Sequence, residues 1–310
     1  MNGAAVAVGV FDGVHLGHRR ILAAALERAV RDGARGRCVV VSFDPHPDLV
    51  LGSVFRTRAP LTPLAERRRR LIALGADEVE FVPFTRELAA LAPEVFVARH
   101  LTGPYRMHTL VVGENFALGR GRSGDVARLG EIGREAGFAV VAVPLLDLGG
   151  SPVSSTRIRV LLETGHVAEA ARLLGRRYDL AGRVVVGEAI GRELGFPTAN
   201  LRLHEDKLLP GDGVYAAWAR AGAAGPWRRA AMSLGMRPTF GGAERVLEVH
   251  LLDWQGDVVG EELEVELVDW IRPQARFAGR AELAEQMGRD IAEIRRRLEA
   301  DTPPGSAGAA

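Results

Sequence analysis

Apolar positions in the first half of the chain come in two alternating kinds. A continuous apolar run at Ala4–Phe11 reads as a strand covered on both faces, Arg37–Phe43, Glu78–Phe84 and Ala139–Leu145 read as further strands, and Thr109–Gly113 as another buried one. Between and after them lie stripes at helical spacing: Leu16–Val30, Leu64–Leu74, a short one at Pro93–His100, Val126–Gly137, and a long helix from about Ser154 to Leu174. Strand–helix alternation of this kind predicts a parallel sheet with right-handed crossovers, and such sheets bind ligands at the carboxyl ends of their strands.

The period changes after about Gly175. Leu247, Val249 and Leu251 alternate with Glu248, His250 and Leu252, and Leu263, Val265 and Leu267 alternate with Glu264, Glu266 and Val268. Alternation by two predicts antiparallel strands with one buried face. Val184–Val186, Val214–Ala219 and Arg229–Leu234 are further short strands between Gly, Pro and Asp turns, so this half reads as a β-barrel or sandwich. It closes with a helix, Ala281–Leu298, whose stripe is Leu283, Met287, Ile291, Ile294 and Leu298. The small, Pro/Gly-rich end of the chain is expected to be disordered. There are no internal repeats.

Composition narrows the chemistry. At 310 residues the length favours two domains, and 47% hydrophobic with 25% charged residues is ordinary for a globular chain with a sizeable core. Forty basic against 39 acidic residues give a net charge of +1, which argues against a dedicated nucleic-acid or membrane-surface protein. A single cysteine, Cys38, excludes an intrachain disulfide and any multi-cysteine metal site; inside an apolar run it reads as core packing. No apolar run is long enough to span a bilayer, and Met1–Val10 lacks the basic start of a signal peptide, so a cytoplasmic location is expected. Only one basic residue, Lys207, is a lysine, and it stands in Asp206-Lys207-Leu208, so neither a Walker A loop nor a protein-kinase strand lysine is present. Nucleotide chemistry here must rest on Arg, His, backbone amides and metal.

Two strings supply such groups. Gly9-Val10-Phe11-Asp12-Gly13-Val14-His15-Leu16-Gly17-His18 is a glycine-flanked turn from strand to helix. Its helix offers free amides and a positive dipole end to an anion, and His15 and His18, three apart, share one face of the first turn. Two imidazoles there can donate to phosphate oxygens and stabilise a leaving pyrophosphate. The second string is Gly187-Glu188-Ala189-Ile190-Gly191-Arg192-Glu193-Leu194-Gly195-Phe196-Pro197-Thr198-Ala199-Asn200. Glycines four apart permit close approach to phosphates, and Thr198 and Asn200 offer neutral oxygens suited to Mg²⁺. Taken alone, this string is equally a glycine-rich hairpin. Ser154–Arg159 alone is an ordinary helix N-cap. Arg67–Arg70 reads as a solvated helix face, and His100 and His108 stand in no motif.

The strings carry a family resemblance. The first contains the His-x-Gly-His signature of nucleotidylyltransferases, in a longer form similar to that of bacterial FAD synthetases. Ser42-Phe43-Asp44-Pro45-His46-Pro47, Gly113-Glu114-Asn115-Phe116-Ala117-Leu118-Gly119 with Arg120–Asp125, and Ser154-Ser155-Thr156-Arg157-Ile158-Arg159 resemble further segments of that family. The second string is similar to the Gly-Arg-x-Leu-Gly-Phe-Pro-Thr-Ala-Asn signature of riboflavin kinases. Pro210–Ala216 and Ser233–Phe240 resemble that family's next motifs, and Glu248 falls where it keeps a catalytic carboxylate.

The whole resembles the prokaryotic bifunctional riboflavin kinase/FAD synthetases from about Gly3 to Leu298. It implies an α/β plus β architecture. Residues 1–178 would be a Rossmann-like parallel-sheet FMN adenylyltransferase domain, 179–301 an antiparallel β-barrel riboflavin kinase domain with a terminal helix, and 302–310 a disordered tail. In the first domain it implies His15 and His18 as catalytic, with Gly9, Phe11, Asp12, Gly13, Asn115, Ser154, Ser155, Thr156 and Arg157 on ATP. In the second it implies Glu248 as the base, Gly187, Gly191, Arg192, Gly195 and Pro197 on ATP phosphates, and Thr198 and Asn200 on Mg²⁺. ATP is the implied co-substrate, and riboflavin, FMN and FAD are the implied substrates and products. No nucleic-acid or membrane partner is implied, and the oligomeric state, a homo-oligomer included, stays open.

Three departures bear on the kinase half. Gln274 stands where the family carries a glutamate between Arg272 and Phe277, Val259 where an aromatic precedes Gly260, and Ile190 where a basic residue is common. They keep two alternatives open: an FAD synthetase with a weak or inactive kinase half, and a non-catalytic flavin sensor. An adenylyl- or cytidylyltransferase acting on another phosphate would leave the second string unexplained.

Overall fold

The computed structural model describes residues 3–31, 34–52, 59–187, 190–204, 206–239 and 242–305. Contacts divide the chain into two units, 1–155 and 156–310.

In the first unit five parallel strands form one sheet. β1 is Ala4–Val8, β2 Arg37–Asp44, β3 Glu78–Pro83, β4 Thr109–Gly113 and β5 Ala139–Val143, in the order β3-β2-β1-β4-β5. Every β1 residue is buried because both faces of the sheet are covered. Ala5, Ala7, Cys38, Val40 and Val111 pack under α1 (Leu16–Ala29), and Val6, Val8, Val39, Val41 and Val112 pack on the other face with Leu129 and Ile132 of a helix at Val126–Ala136. Cys38 is fully buried in the first of these layers. The register Ala5↔Thr109 and Ala7↔Val111 brings the carboxyl ends of β1 and β4 side by side. The turns after both strands therefore open at one edge of the sheet.

The long helix expected from Ser154 to Leu174 is two helices, Ser155–Glu163 and Val167–Leu174. The apolar stripe runs through both, so spacing alone hides the break. Gly165 makes it: its φ of +82° is left-handed, and an added Cβ would lie 3.0 Å from the Trp270 ring.

The second unit is a closed six-stranded antiparallel barrel, which resolves the choice between barrel and sandwich. Its strands are β6 (Tyr178–Val185), β7 (Ala199–Leu203), β8 (Gly213–Ala221), β9 (Arg228–Thr239), β10 (Gly242–Leu251) and β11 (Glu262–Arg272), ordered β6-β7-β10-β9-β8-β11. Strand β7 was not among the expected elements; Ala199, Asn200 and Leu201 are all buried, so the strand shows no alternation by two. The terminal helix, Arg280–Glu299, covers the outer face of β8: Ile291, Ile294 and Leu298 pack on Val214, Ala216 and Trp218. Asp301 closes the unit by accepting two bonds from Arg177 (2.7 and 2.8 Å) and one from Trp218 Nε1 (2.8 Å). Arg177 also donates to the Thr302 carbonyl at 2.7 Å, within the segment expected to be disordered; residues 306–310 lie outside the described residues.

Candidate active sites

The first site is the turn from β1 to α1. Phe11 (φ 53°), Gly13 (φ 87°) and Val14 (φ 43°) hold it in left-handed backbone. His15 is the N-cap of α1, and its Nδ1 accepts the His18 amide at 3.3 Å. An acceptor at Nδ1 places the proton of the neutral ring on Nε2, so His15 presents Nε2–H. The His15 and His18 rings stack with centroids 3.6 Å apart, and Phe11 packs on His18 at 5.1 Å. Burial holds His18 well below its usual 6.5, and the neighbouring His15 and Arg67 push it the same way. His18 Nδ1 is buried without a hydrogen-bond partner, which suits a lone pair better than an N–H, so His18 too presents Nε2–H.

This shift gives a signed expectation. Below pH 6.5 the unfolded chain takes up a proton that native His18 refuses, so stability is lost as pH falls from 6.5 towards the lowered native value. The slope approaches about 1.4 kcal/mol per pH unit. Denaturation midpoints between pH 7.5 and 5 should fall less steeply in His18→Gln than in the parent, and equal slopes would remove burial as the cause.

Asp12 lies beneath the turn. Its side chain is fully buried, accepting the amides of Leu61 (3.2 Å) and Thr62 (3.0 Å), the Thr62 hydroxyl (3.3 Å) and Arg67 Nη2 (3.3 Å). Thr62 in turn takes the Gly13 amide at 2.8 Å, so Asp12 and Gly13 shape the turn. Arg67 is the residue that sequence reasoning missed. Far from being solvated, its side chain is 4% exposed and donates to the Val10 and Thr62 carbonyls as well as to Asp12. A signal was present: Arg67 precedes fully buried Leu71 by one helical turn in the helix Leu64–Ala73, which puts it on the buried stripe. Arg68 and Arg69 are exposed as expected, Arg68 donating to the Val79 carbonyl at 2.5 Å, and half-buried Arg70 bonds Glu66 at 2.6 Å.

The other expected ligands of this half lie as follows. Ser154 is half-buried, and the Ser155 hydroxyl donates to the Asp12 carbonyl at 2.8 Å; Thr156 is exposed and Arg157 half-buried in the first turn of the helix Ser155–Glu163. Gly9 donates to Val41 O at 3.2 Å and lines, with Val10 and Asn115, a cavity of about 670 Å³. Its walls include Phe43, Phe84, Phe96 and Phe116.

The second site lies on the outer face of the barrel. Register pairs Asn200 with Glu248 and Glu248 with Ser233 across β7, β10 and β9, so the three side chains project from one face. Leu247 and Val249 point the other way and are buried, so Glu248 faces outward as the alternation required. Thr198 donates to Glu248 Oε1 at 3.4 Å. Gly187 lies against Asn200 so closely that an added Cβ would stand 1.8 Å from its Nδ2, so any larger residue would displace the Asn200 side chain. Gly191 accepts the Phe196 amide at 2.7 Å, Gly195 has φ +85°, and the Pro197 carbonyl accepts from His250 Nδ1 at 2.7 Å. The side chains of Ile190 and Arg192 lie outside the described residues.

Two cavities flank this row. The larger, about 510 Å³, has Thr198, Glu248, His250, Ser233 and Gln274 on one side and Leu283 and Met287 of the terminal helix on the other. The stripe of that helix is therefore shared: its second half is core and its first half lines a cavity. The smaller, about 160 Å³, lies along Gly187, Pro197, Asn200, Trp254 and Val259. Gln274 donates to Ser233 Oγ (2.9 Å) and to the Leu234 carbonyl (3.0 Å), while Arg272 beside it grips Asp290 of the helix through both carboxylate oxygens. Gln274 and Ser233 are thus brought to Glu248 from two other segments, and His250 stands two residues along its own strand.

Among the described residues, no three His, Cys, Asp or Glu side chains converge, and no helix is long and apolar enough to cross a membrane.

Comparison with known proteins places both halves. Residues 1–157 match the FAD synthetase family and residues 174–298 the riboflavin kinase family. The chain is 38% identical over 291 residues to a bifunctional riboflavin kinase/FMN adenylyltransferase of Escherichia coli, covering 93% of this chain and 90% of that one. It is 34% identical to one from Listeria monocytogenes, covering 94% and 91%. A crystal structure from Streptococcus pneumoniae, described as a macrolide-efflux protein, superposes with a TM-score of 0.86 at 30% identity over 95% of each chain. On this likeness over nearly its whole length, the chain belongs to the bifunctional riboflavin kinase/FMN adenylyltransferase family.

Proposed function

We propose that the barrel unit transfers the γ-phosphate of ATP to the 5′-hydroxyl of riboflavin, giving FMN, and that the parallel-sheet unit joins FMN to AMP from a second ATP, giving FAD and pyrophosphate. The observation that carries this is the row Asn200–Glu248–Ser233 with Thr198, set between two cavities. The larger cavity suits a flavin ring and the smaller a nucleotide base, which brings the two reacting groups to Glu248.

In the kinase reaction Glu248 accepts the proton of the ribityl hydroxyl as its oxygen attacks the γ-phosphorus and the bond to the β-phosphate oxygen breaks. Thr198 and Asn200 are neutral oxygen donors on the same face as a carboxylate, a set that fits Mg²⁺ held mainly by ATP. The ion would neutralise phosphate charge there. In the adenylyl transfer an oxygen of the FMN phosphate attacks the α-phosphorus and pyrophosphate leaves. His15 and His18, both neutral with Nε2–H, donate to the phosphate oxygens, and Ser154, Ser155, Thr156 and Arg157 open the helix that supplies further donors. Asp12 and Gly13 act through the shape of the turn. Neither step needs a protein nucleophile.

A time course of riboflavin with ATP and Mg²⁺, resolved by chromatography, tests the whole reading. FMN should appear first and give way to FAD. FAD from added FMN, with nothing from riboflavin, would leave only the first unit active.

Gln274 holds one wall of the larger cavity. Its amide donates to a carbonyl, which an ionised glutamate cannot do. Gln274→Glu should raise the KM for riboflavin about tenfold at pH 8 through the lost bond and the repulsion that replaces it. The defect should shrink as pH falls and the new carboxyl gains a proton. A KM unchanged at both pH 6 and pH 8 would show that the amide does not hold this wall of the cavity.

A further inference from the structure

The aromatic cavity of the first unit holds a feature that the adenylyl-transfer chemistry does not by itself assign. Among its described lining residues Arg122 is the only Arg or Lys. The other ionisable side chains there, His46 and Asp48, face each other at 3.7 Å, and His46 Nδ1 also accepts the Asp48 amide at 3.2 Å. Arg122 is exposed at the rim of the cavity, on a turn of unusual backbone. Its φ is +59°, a left-handed conformation that arginine rarely adopts, between Gly119 at +73° and Gly121 at +61° on one side and the buried Gly124 on the other. Its guanidinium donates to the Asn115 carbonyl at 3.2 Å.

That bond fixes which end of the cavity the cation occupies. Asn115 follows β4, Gly9 follows β1, and those strands are adjacent and in register. Gly9 and Val10 line the same cavity and lead into the turn that carries His15 and His18. The charge therefore stands where an apolar, ring-lined pocket meets the phosphate-binding turn.

We infer that Arg122 is the specificity-determining residue of this site: it holds the 5′-phosphate of the incoming flavin and so selects FMN over the unphosphorylated flavin. The inference rests on the reading that this cavity takes the flavin ring. A planar guanidinium matches a phosphate bidentately and stays charged at every working pH, whereas an aromatic wall alone accepts both flavins equally. The contact is made to the ground state and the transition state alike, so it acts on KM more than on kcat.

The test uses the full chain, with FAD formation from FMN and MgATP as the readout and lumiflavin, a flavin ring without ribityl or phosphate, as competitor. Arg122→Met should raise the KM for FMN about 10–100-fold, with kcat changed less than threefold. The inhibition constant of lumiflavin should be unchanged, and Arg122→Lys should lie between. Formation of FMN from riboflavin serves as the folding control and should stay at the parent level. Lumiflavin competing with FMN while Arg122→Met leaves the FMN KM unchanged would overturn the inference and keep the cavity assignment. Lumiflavin failing to compete with FMN would overturn the cavity assignment, and the inference with it.

Discussion

Glu248→Gln should lower FMN formation from riboflavin about 10²- to 10⁴-fold, the usual worth of a positioned base, and leave FAD formation from FMN unchanged. The substitution keeps size and shape, and glutamine can still accept from Thr198 as Glu248 Oε1 does at 3.4 Å. The loss should fall on kcat, because the carboxylate acts on a proton that moves in the transition state. One neighbour could stand in for it. His250 gives its Nδ1 proton to the Pro197 carbonyl, which leaves the lone pair of the neutral ring on Nε2, and it lines the same cavity. If Glu248→Gln retains activity within a few-fold of the parent while His250→Gln loses it, the base is His250. If neither loses it, no side chain takes the proton and positioning carries the step.

The parts that were legible in the sequence are those where one physical rule dominates. The inner strands β1, β2 and β4 are buried on both faces and lie within a few residues of where apolar runs put them, whereas the edge strands β3 and β5 are half-exposed and were legible from their place in the strand–helix alternation. Glu248 was legible because alternation in β10 allows only two directions, and Leu247 and Val249 occupy the buried one. What escaped was set by contacts distant in sequence. A helical stripe that runs through Ser155–Leu174 does not reveal a break made by one glycine against Trp270. Leu283 and Met287 continue the stripe of the last helix, yet they face a cavity, because the row on β9 and β10 stands opposite them in place of core. Arg67–Arg70 is as polar as a solvated face, and the geometry shows that Arg67 has three acceptors in two segments, Val10 and Asp12 in one and Thr62 in the other.

Arg67→Met should therefore be the most disruptive single change in the first unit. It removes one partner of an ion pair in which the Arg67 side chain is 4% and the Asp12 side chain 0% exposed. Breaking a buried ion pair by removing one partner costs about 3–5 kcal/mol, a large share of the stability of a unit this size. FAD formation should fall further than stability alone dictates, because Val10 O, Asp12 and Thr62 O lose the group that gathers them beneath the His15–His18 turn. Riboflavin phosphorylation should survive, since its residues all lie in the barrel. Adding Asp12→Asn separates the two effects. It removes the orphaned carboxylate, so the double variant should unfold at higher temperature than Arg67→Met alone, the non-additivity expected of partners in contact. It restores none of the three lost bonds, so FAD formation should stay low while melting recovers. A double variant that regains both would reduce Arg67 to a counter-charge. A single variant that melts and turns over like the parent would mean that the guanidinium holds nothing.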